Sequence, residues 1–163
     1  NNMNQIKNKT ILYVILFFCI FALFFAYYVE YVLGHKPCNL CLIQRIPYFL
    51  VIVIIFLNLF LKKFEKQFIF LLFLIFVFSS ILSFYHFGIE QGFIEESLVC
   101  DVTDDTLSLS KENLLEELKQ QSISCKDVSF RIFGFSLASI NTIISLIISI
   151  ILIKLFFKYG KNK

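Results

Sequence analysis

The sequence predicts an all-α membrane protein, a bundle of four transmembrane helices. The chain has 163 residues and is 58% hydrophobic, against about 45–50% in ordinary soluble domains. The apolar excess falls in four runs of about 20 residues, the length that an α-helix needs to cross roughly 30 Å of hydrocarbon. No run carries a polar stripe wide enough for a soluble amphipathic helix. The runs are residues 11–33, 42–61, 68–87 and 132–153.

The first predicted span, residues 11–33, follows Lys7 and Lys9. A basic start and an apolar run are also typical of a cleaved signal peptide. A span is favoured, because the run is long for a signal peptide and no small-x-small cleavage site follows it. Cys19, in the middle of the run, is expected to fill the core as a small apolar residue.

The second span begins beside a CxxC motif formed by Cys38 and Cys41. Residues 46–61 alone would cover only about 24 Å at helical rise, so Arg45 is expected at headgroup depth, one turn inside the helix. A guanidinium near lipid costs several kcal/mol unless it has a partner or a task. The CxxC is therefore expected to precede or open a helix N-terminus, where the helix dipole and nearby cations stabilise a thiolate.

The third span, residues 68–87, follows a short connection and should form an antiparallel hairpin with the second. The fourth, residues 132–153, follows a long connection, about residues 88–130. Lysines flank the spans in three regions, which the positive-inside rule assigns to the cytoplasm. The expected topology is N-in and C-in, with the CxxC and the long loop facing outward. These lysines are Lys7, Lys9, Lys62, Lys63, Lys66, Lys154, Lys158, Lys161 and Lys163.

The chain is expected to form a single membrane domain, residues 1–163, whose only soluble-like part is the long loop. That loop holds ten carboxylates against three lysines. Within it, Ser110 is expected to cap a helix that ends near Gln121, with leucines on one face. This helix could tether the loop or dock a partner, and both readings stay open. Nothing in the chain suggests nucleic-acid binding.

Four of the five cysteines fall on the outward side, which in a bacterium is the oxidising periplasm, where disulfides persist. A zinc site made by the CxxC with Cys100 and Cys125 is the alternative, but the spacing of the latter two matches no common zinc finger. No metal is therefore expected. Cys100 and Cys125 predict a second disulfide, which could be a static staple or could exchange electrons with the CxxC.

These motifs together resemble the DsbB family of bacterial disulfide-forming membrane proteins. The likeness rests on CxxCxxQR from Cys38 to Arg45 at the start of the second span, and on two cysteines between the third and fourth spans. The segments Tyr85–Gly92 and Phe133–Asn141 also resemble this family. The likeness covers nearly the whole chain.

The resemblance implies an enzyme, a quinone-dependent thiol oxidase of the bacterial inner membrane with its active face in the periplasm. Members reoxidise a soluble thioredoxin-fold oxidase of the DsbA type and pass its electrons to ubiquinone or menaquinone. By position, Cys100 would form the mixed disulfide with the partner, and Cys125 would complete the loop disulfide. The loop pair would exchange with the CxxC, Cys41 would contact the quinone, and Arg45 would stabilise negative charge on the quinone oxygen.

Five further polar residues lie near the predicted site. Gln44 is expected to orient the quinone edge or to cap the helix. His86 is a candidate beside the quinone, although a histidine at a helix end is more often interfacial. Glu90 is expected to be solvated, with balancing Arg45 as the alternative. Asn141 is expected to hydrogen-bond between helices, and His35 to be exposed beside the CxxC.

Other classes predict different features. A family member devoted to one dedicated oxidase would share the chemistry. A quinone reductase of the vitamin K epoxide type would carry its CxxC late in the chain. A non-enzymatic four-span scaffold, with a loop closed by a disulfide, would tolerate loss of Cys38 and Arg45. A metal transporter needs several ligands inside the spans, and Cys19 and Asn58 are the candidates within the first two.

Overall fold

A computed structural model describes residues 2–61, 64–95, 100, 125–126 and 130–161. In these residues the chain forms five helices and one two-stranded antiparallel hairpin. In chain order the elements are α1 (Asn2–Tyr31), α2 (Asn39–Ile43), α3 (Arg45–Phe60), α4 (Glu65–Glu90), β1 (Arg131–Ile132), β2 (Phe135–Ser136) and α5 (Leu137–Lys161). The predicted helix between Ser110 and Gln121, and the lysines at 62, 63 and 163, lie outside the described residues.

The four predicted spans are confirmed as helices long and apolar enough to cross a membrane. They are Lys9–Tyr31, Asn39–Phe60, Glu65–Glu90 and Leu137–Lys158. The second combines α2 and α3, which meet at Gln44. The chain is thus an all-α, multi-pass membrane protein, and its N-in, C-in orientation stays a prediction from the lysines.

Two spans have different ends from those predicted. Helix α4 continues to Glu90, about one turn beyond the predicted end at residue 87. Helix α5 begins at Leu137, because the residues before it form the hairpin of β1 and β2. Phe133 and Gly134 both have positive φ, of 50° and 85°, as a two-residue hairpin turn of the primed type requires. Ser136 then caps α5, accepting a hydrogen bond from the Ser139 backbone N–H at 3.2 Å.

A central apolar cluster holds the bundle together, with buried side chains from all four spans. Cys19 belongs to it and is fully buried, which confirms its predicted place in the core. Large apolar side chains on the opposite faces stay exposed, such as Phe17 and Phe78. In a membrane those faces meet lipid, which explains why the spans are apolar all round.

Helices α4 and α5 pack through small serine side chains. Ser79 and Ser145 are almost fully buried, and their hydroxyl oxygens lie 3.3 Å apart. Ser80 donates a hydrogen bond to the backbone oxygen of Thr142 at 3.5 Å. Small residues let two membrane helices approach closely, and their hydroxyls bond across the contact.

This contact predicts that side-chain volume matters more than the hydroxyl. We expect Ser79→Ala to lower the free energy of unfolding by only about 0.6 kcal/mol, the mean value of such a hydrogen bond. Ser79→Leu should lower it by about 1–3 kcal/mol through overpacking. Unfolding in mixed detergent micelles measures both, with Ile81→Leu on the exposed face of α4 as the control. Equal stability of Ser79→Leu and Ile81→Leu would contradict the packing described.

Candidate functional site

The CxxC lies where the second span begins. Cys38 has an extended backbone and directly precedes α2, while Cys41 lies within that helix. This confirms the prediction that the motif precedes or opens a helix N-terminus. Both side chains are free thiols, and their sulfurs are 3.0 Å apart. That distance is about 1 Å longer than a disulfide bond, so a small movement would close the pair.

The two loop cysteines, Cys100 and Cys125, form a disulfide, as the sequence predicts. Both are buried and pack with Cys38, Leu40 and Ile89 in one cluster, which we call the sulfur cluster. Because the disulfide lies against the CxxC, the two pairs are neighbours in space although about 60 residues separate them in sequence.

His86 lies in the site and not at the interface, so the interfacial expectation is wrong. Its side chain is 4% exposed, and its Nε2 lies 3.6 Å from the Cys38 sulfur. The reason is the packing of α4 against the segment that carries the CxxC, which places the His86 ring between Cys38 and Gln44. On its other side the ring meets Gln44, whose Nε2 is 2.8 Å from Nδ1.

The surroundings of Cys38 favour its thiolate. A hydrogen bond from the Cys41 thiol lowers the pKa of Cys38 well below its ordinary value, and the His86 ring lowers it further. Burial opposes both effects and is outweighed. Of the CxxC pair, Cys38 is therefore the thiolate that this geometry stabilises.

Gln44 connects His86 with α5. Its side chain makes no capping hydrogen bond to α3, so the capping alternative is wrong. Instead its Oε1 accepts a hydrogen bond from Asn141 at 3.3 Å. Asn141 also bonds Ser83 at 2.5 Å and Tyr48. Asn141 thus bonds between helices, as predicted, and ties α3, α4 and α5 together beneath the site.

Arg45 begins α3 and has a partner that the sequence analysis missed. Its guanidinium donates to Glu30 of α1 at 2.6 Å, with side chains 13% and 20% exposed. It also lies over the ring of Tyr27, 4.7 Å from the centroid. The available signal was Glu30 itself, because a carboxylate inside an apolar span needs a partner.

The expectation that Glu90 is solvated is wrong, and so is the alternative that it balances Arg45. Its side chain is 6% exposed, and its Oε1 lies 3.7 Å from His86 Nε2. Glu90 ends α4 four residues after His86, so both side chains project from the same face. Its Oε2 is buried and has no hydrogen-bond partner within the described part of the chain.

A cavity of about 420 Å³ opens beside these residues. Its walls are mainly apolar side chains, and its polar groups gather at the end that carries the CxxC. His35 lies at this end, half-buried and not exposed as expected, with its ring 5.5 Å from that of Phe130. An apolar cavity with a few convergent polar groups suits a small apolar molecule with a polar ring. The polar lining includes Cys38, Cys41, Gln44, Arg45, His86 and Glu90.

Three of these residues, Cys38, Cys41 and His86, could also serve as metal ligands. The ligand atoms of Cys38, Cys41 and His86 lie within 4.8 Å of one another. Gln44 Nε2 lies 2.8 Å from Nδ1; if the amide donates there, a neutral ring carries its proton on Nε2, the atom nearest the thiols. The zinc ligands considered from the sequence, Cys100 and Cys125, are joined in a disulfide. The arrangement favours proton exchange with Cys38 over metal ligation.

Comparisons with known proteins agree with these features. The family model described as disulfide bond formation protein DsbB matches residues 8–155. An uncharacterized protein of Rickettsia prowazekii (strain Madrid E), RP370, is 28% identical over 165 residues, covering 100% of this chain and 96% of the relative. No solved structure matches the chain.

Proposed function

The chain belongs to the DsbB family of disulfide bond formation proteins, and from this premise we propose that it is a thiol:quinone oxidoreductase. Its substrate would be a reduced periplasmic oxidase with a thioredoxin fold, of the DsbA type. The electron acceptor would be the ubiquinone or menaquinone of a bacterial inner membrane. Protein disulfide formation would be the outcome.

One observation carries the proposal: a closed disulfide and a reduced CxxC share the sulfur cluster. Two such pairs in contact can exchange by thiolate attack on a disulfide sulfur. The state described has an oxidised loop pair and a reduced CxxC. This is the state expected after the loop has passed its electrons inward.

The first two steps are disulfide exchanges. A thiolate of the partner attacks Cys100, the Cys100–Cys125 bond breaks, and a mixed disulfide forms. The partner's second thiol then closes the partner's own disulfide and leaves the loop pair reduced. Next, the loop dithiol reduces a Cys38–Cys41 disulfide and is itself reoxidised. Each exchange moves two electrons, and the protons follow the thiols.

The third step uses the cavity. A bound quinone supplies an acceptor for two electrons and two protons. The apolar walls suit its ring and tail, and Cys41 lines the cavity together with Arg45. Closure of the Cys38–Cys41 disulfide would release two electrons and two protons to such an acceptor, through Cys41 as the family resemblance implies. Arg45, held by Glu30, would stabilise the negative charge that develops next to it.

The direct test mixes the purified protein with a reduced DsbA-type partner and a soluble quinone, and follows quinone absorbance. We expect one quinone reduced for each partner disulfide formed, with no reduction when either protein is omitted. Partner oxidation that proceeds without quinone consumption would contradict the quinone assignment. If neither partner oxidation nor quinone reduction occurred, the proposed function as a whole would be contradicted.

The order of the loop cysteines gives a separate prediction. In Cys125→Ser, Cys100 is a free thiol, so it should capture a partner that carries only its attacking cysteine, activated as a disulfide with a small aromatic thiol. The Cys100 thiolate attacks the partner's sulfur, the aromatic thiol leaves, and the mixed disulfide accumulates because the partner has no second thiol. Cys100→Ser should accumulate none. Non-reducing gel electrophoresis after acid quenching measures the adduct. The reverse pattern, an adduct in Cys100→Ser only, would exchange the two roles.

A further inference from the structure

A continuous chain of hydrogen bonds runs from the middle of the bundle to the CxxC. It starts at Tyr48 of α3, passes through Asn141 of α5 and Gln44, and reaches His86 of α4. Beyond His86 lies the sulfur of Cys38, 3.6 Å from Nε2. Tyr48, Gln44 and His86 are each less than a tenth exposed. Buried amide groups are costly unless they are hydrogen-bonded. Here the amides of Gln44 and Asn141 bond each other and connect Tyr48 with His86.

The donors and acceptors along the chain have one direction. The hydroxyls of Tyr48 and Ser145 both donate to Asn141 Oδ1, so the amide nitrogen of Asn141 faces Gln44 Oε1. Gln44 then presents its own amide nitrogen to His86 Nδ1 at 2.8 Å. A nitrogen that accepts a hydrogen bond carries no proton, so the proton of the neutral ring is on Nε2.

We propose that Tyr48, Asn141 and Gln44 are positioning residues, which hold His86 in the tautomer whose Nε2–H is directed at the Cys38 sulfur. The carboxylate of Glu90, 3.7 Å from Nε2 on the same side, favours a proton on the same atom. The assignment of this tautomer depends only on the geometry of the hydrogen bonds. Its importance for turnover rests on the proposed function, in which Cys38 is half of the inner disulfide.

An N–H directed at Cys38 stabilises the thiolate, and the lowered pKa of Cys38 is consistent with it. Three titratable groups face this sulfur or its histidine partner: Cys41 from α2, and His86 and Glu90 from α4. Around the cavity lie a further histidine and an ion pair, namely His35, Arg45 and Glu30. Any measurement on Cys38 therefore has to isolate the contribution that comes through His86.

The tautomer can be observed directly, because the chain has only two histidines. In the His35→Gln variant, nitrogen NMR of the labelled protein in micelles reports His86 alone. We expect the pattern of an Nε2–H ring. Gln44→Met, which removes the amide at similar length, should yield a mixture of the two tautomers. If the neutral ring in the His35→Gln protein carried its proton on Nδ1, the hydrogen-bond chain would have the opposite direction. That result would overturn the proposal.

The effect on Cys38 is measured by alkylation in a background with Cys19→Ser, Cys41→Ser, Cys100→Ser and Cys125→Ser. Cys38 is then the one thiol, and the hydroxyl introduced by Cys41→Ser retains a donor beside it. We expect Gln44→Met and Asn141→Leu each to lower the alkylation rate at pH 6 about tenfold, by weakening a hydrogen bond to a charged group. The full pH profile should show a raised pKa of Cys38.

Two controls separate positioning from general damage. Asn58→Leu removes a buried amide of α3 that is not part of the hydrogen-bond chain. This variant should leave the pH profile of Cys38 alkylation unchanged. In a His86→Ala background, Asn141→Leu should have no additional effect, because its influence passes through the ring. An additional loss there, or an equal loss in Asn58→Leu, would overturn the proposal. Neither readout uses quinone or partner, so a failure here is distinguishable from failure of the proposed function.

Discussion

Cys41→Ser is expected to lower the rate of quinone reduction by roughly 10³-fold or more, the scale of losing a reacting group. The reason is that Cys41 lines the cavity, and without it the inner disulfide cannot close. The measurement follows quinone absorbance with a saturating reduced partner. Partner binding should persist, because the loop disulfide of Cys100 and Cys125 is untouched.

A matched control distinguishes this chemistry from cysteine loss in general. Cys19 is equally a free cysteine, but it lies in the central apolar cluster. Cys19→Ser should keep the rate of quinone reduction within about twofold, with a small loss of stability from burying a hydroxyl. Undiminished reduction in Cys41→Ser would refute the electron path through the CxxC.

Arg45→Ala is expected to have two effects, one on activity and one on stability. Removing a preorganised cation beside developing negative charge should lower the rate of quinone reduction about 100-fold. It also leaves Glu30 without its partner, which should lower the free energy of unfolding by about 3 kcal/mol, as for other mostly buried ion pairs. Quinone titrations and unfolding in mixed micelles measure the two effects.

The double variant Arg45→Leu with Glu30→Leu separates these effects. Replacing both members of a buried pair by apolar residues is often neutral, so stability should return. The rate of quinone reduction should stay low, because no cation remains at that position. If the double variant recovered activity as well, Arg45 would be structural and the proposed role in charge stabilisation would be wrong. An unchanged rate of quinone reduction in Arg45→Ala at saturating quinone would lead to the same conclusion.

The helices and the place of the CxxC could be predicted from the sequence, because they depend on lengths along one chain. An apolar run of about 20 residues has few alternatives to a membrane span. The prediction that Arg45 lies one turn inside the helix agrees with its place six residues after the start of the span Asn39–Phe60, at the first residue of α3. The disulfide between Cys100 and Cys125 could be predicted because both cysteines lie in the same outward loop.

The partners across helices could not be predicted in the same way. Spans that are apolar all round contain no periodic stripe to show which face meets which neighbour. The pairs of Arg45 with Glu30 and of Gln44 with Asn141 depend on how the helices are rotated. The prediction for Glu90 was wrong because α4 continues one helical turn further than predicted. Glu90 is therefore a buried helical neighbour of His86 and not a loop residue.

The separation of the two apolar clusters has a consequence for motion. Among the residues that the structure describes, the sulfur cluster shares none with the central cluster that includes Cys19 and Phe76. Disulfide exchange requires sulfurs to change partners, so the groups around them must open and close repeatedly. The hydrogen bonds from Tyr48 to His86 still connect the two clusters. Because the apolar contacts are divided, the sulfur cluster can open as a local unit of lower stability while the spans remain folded.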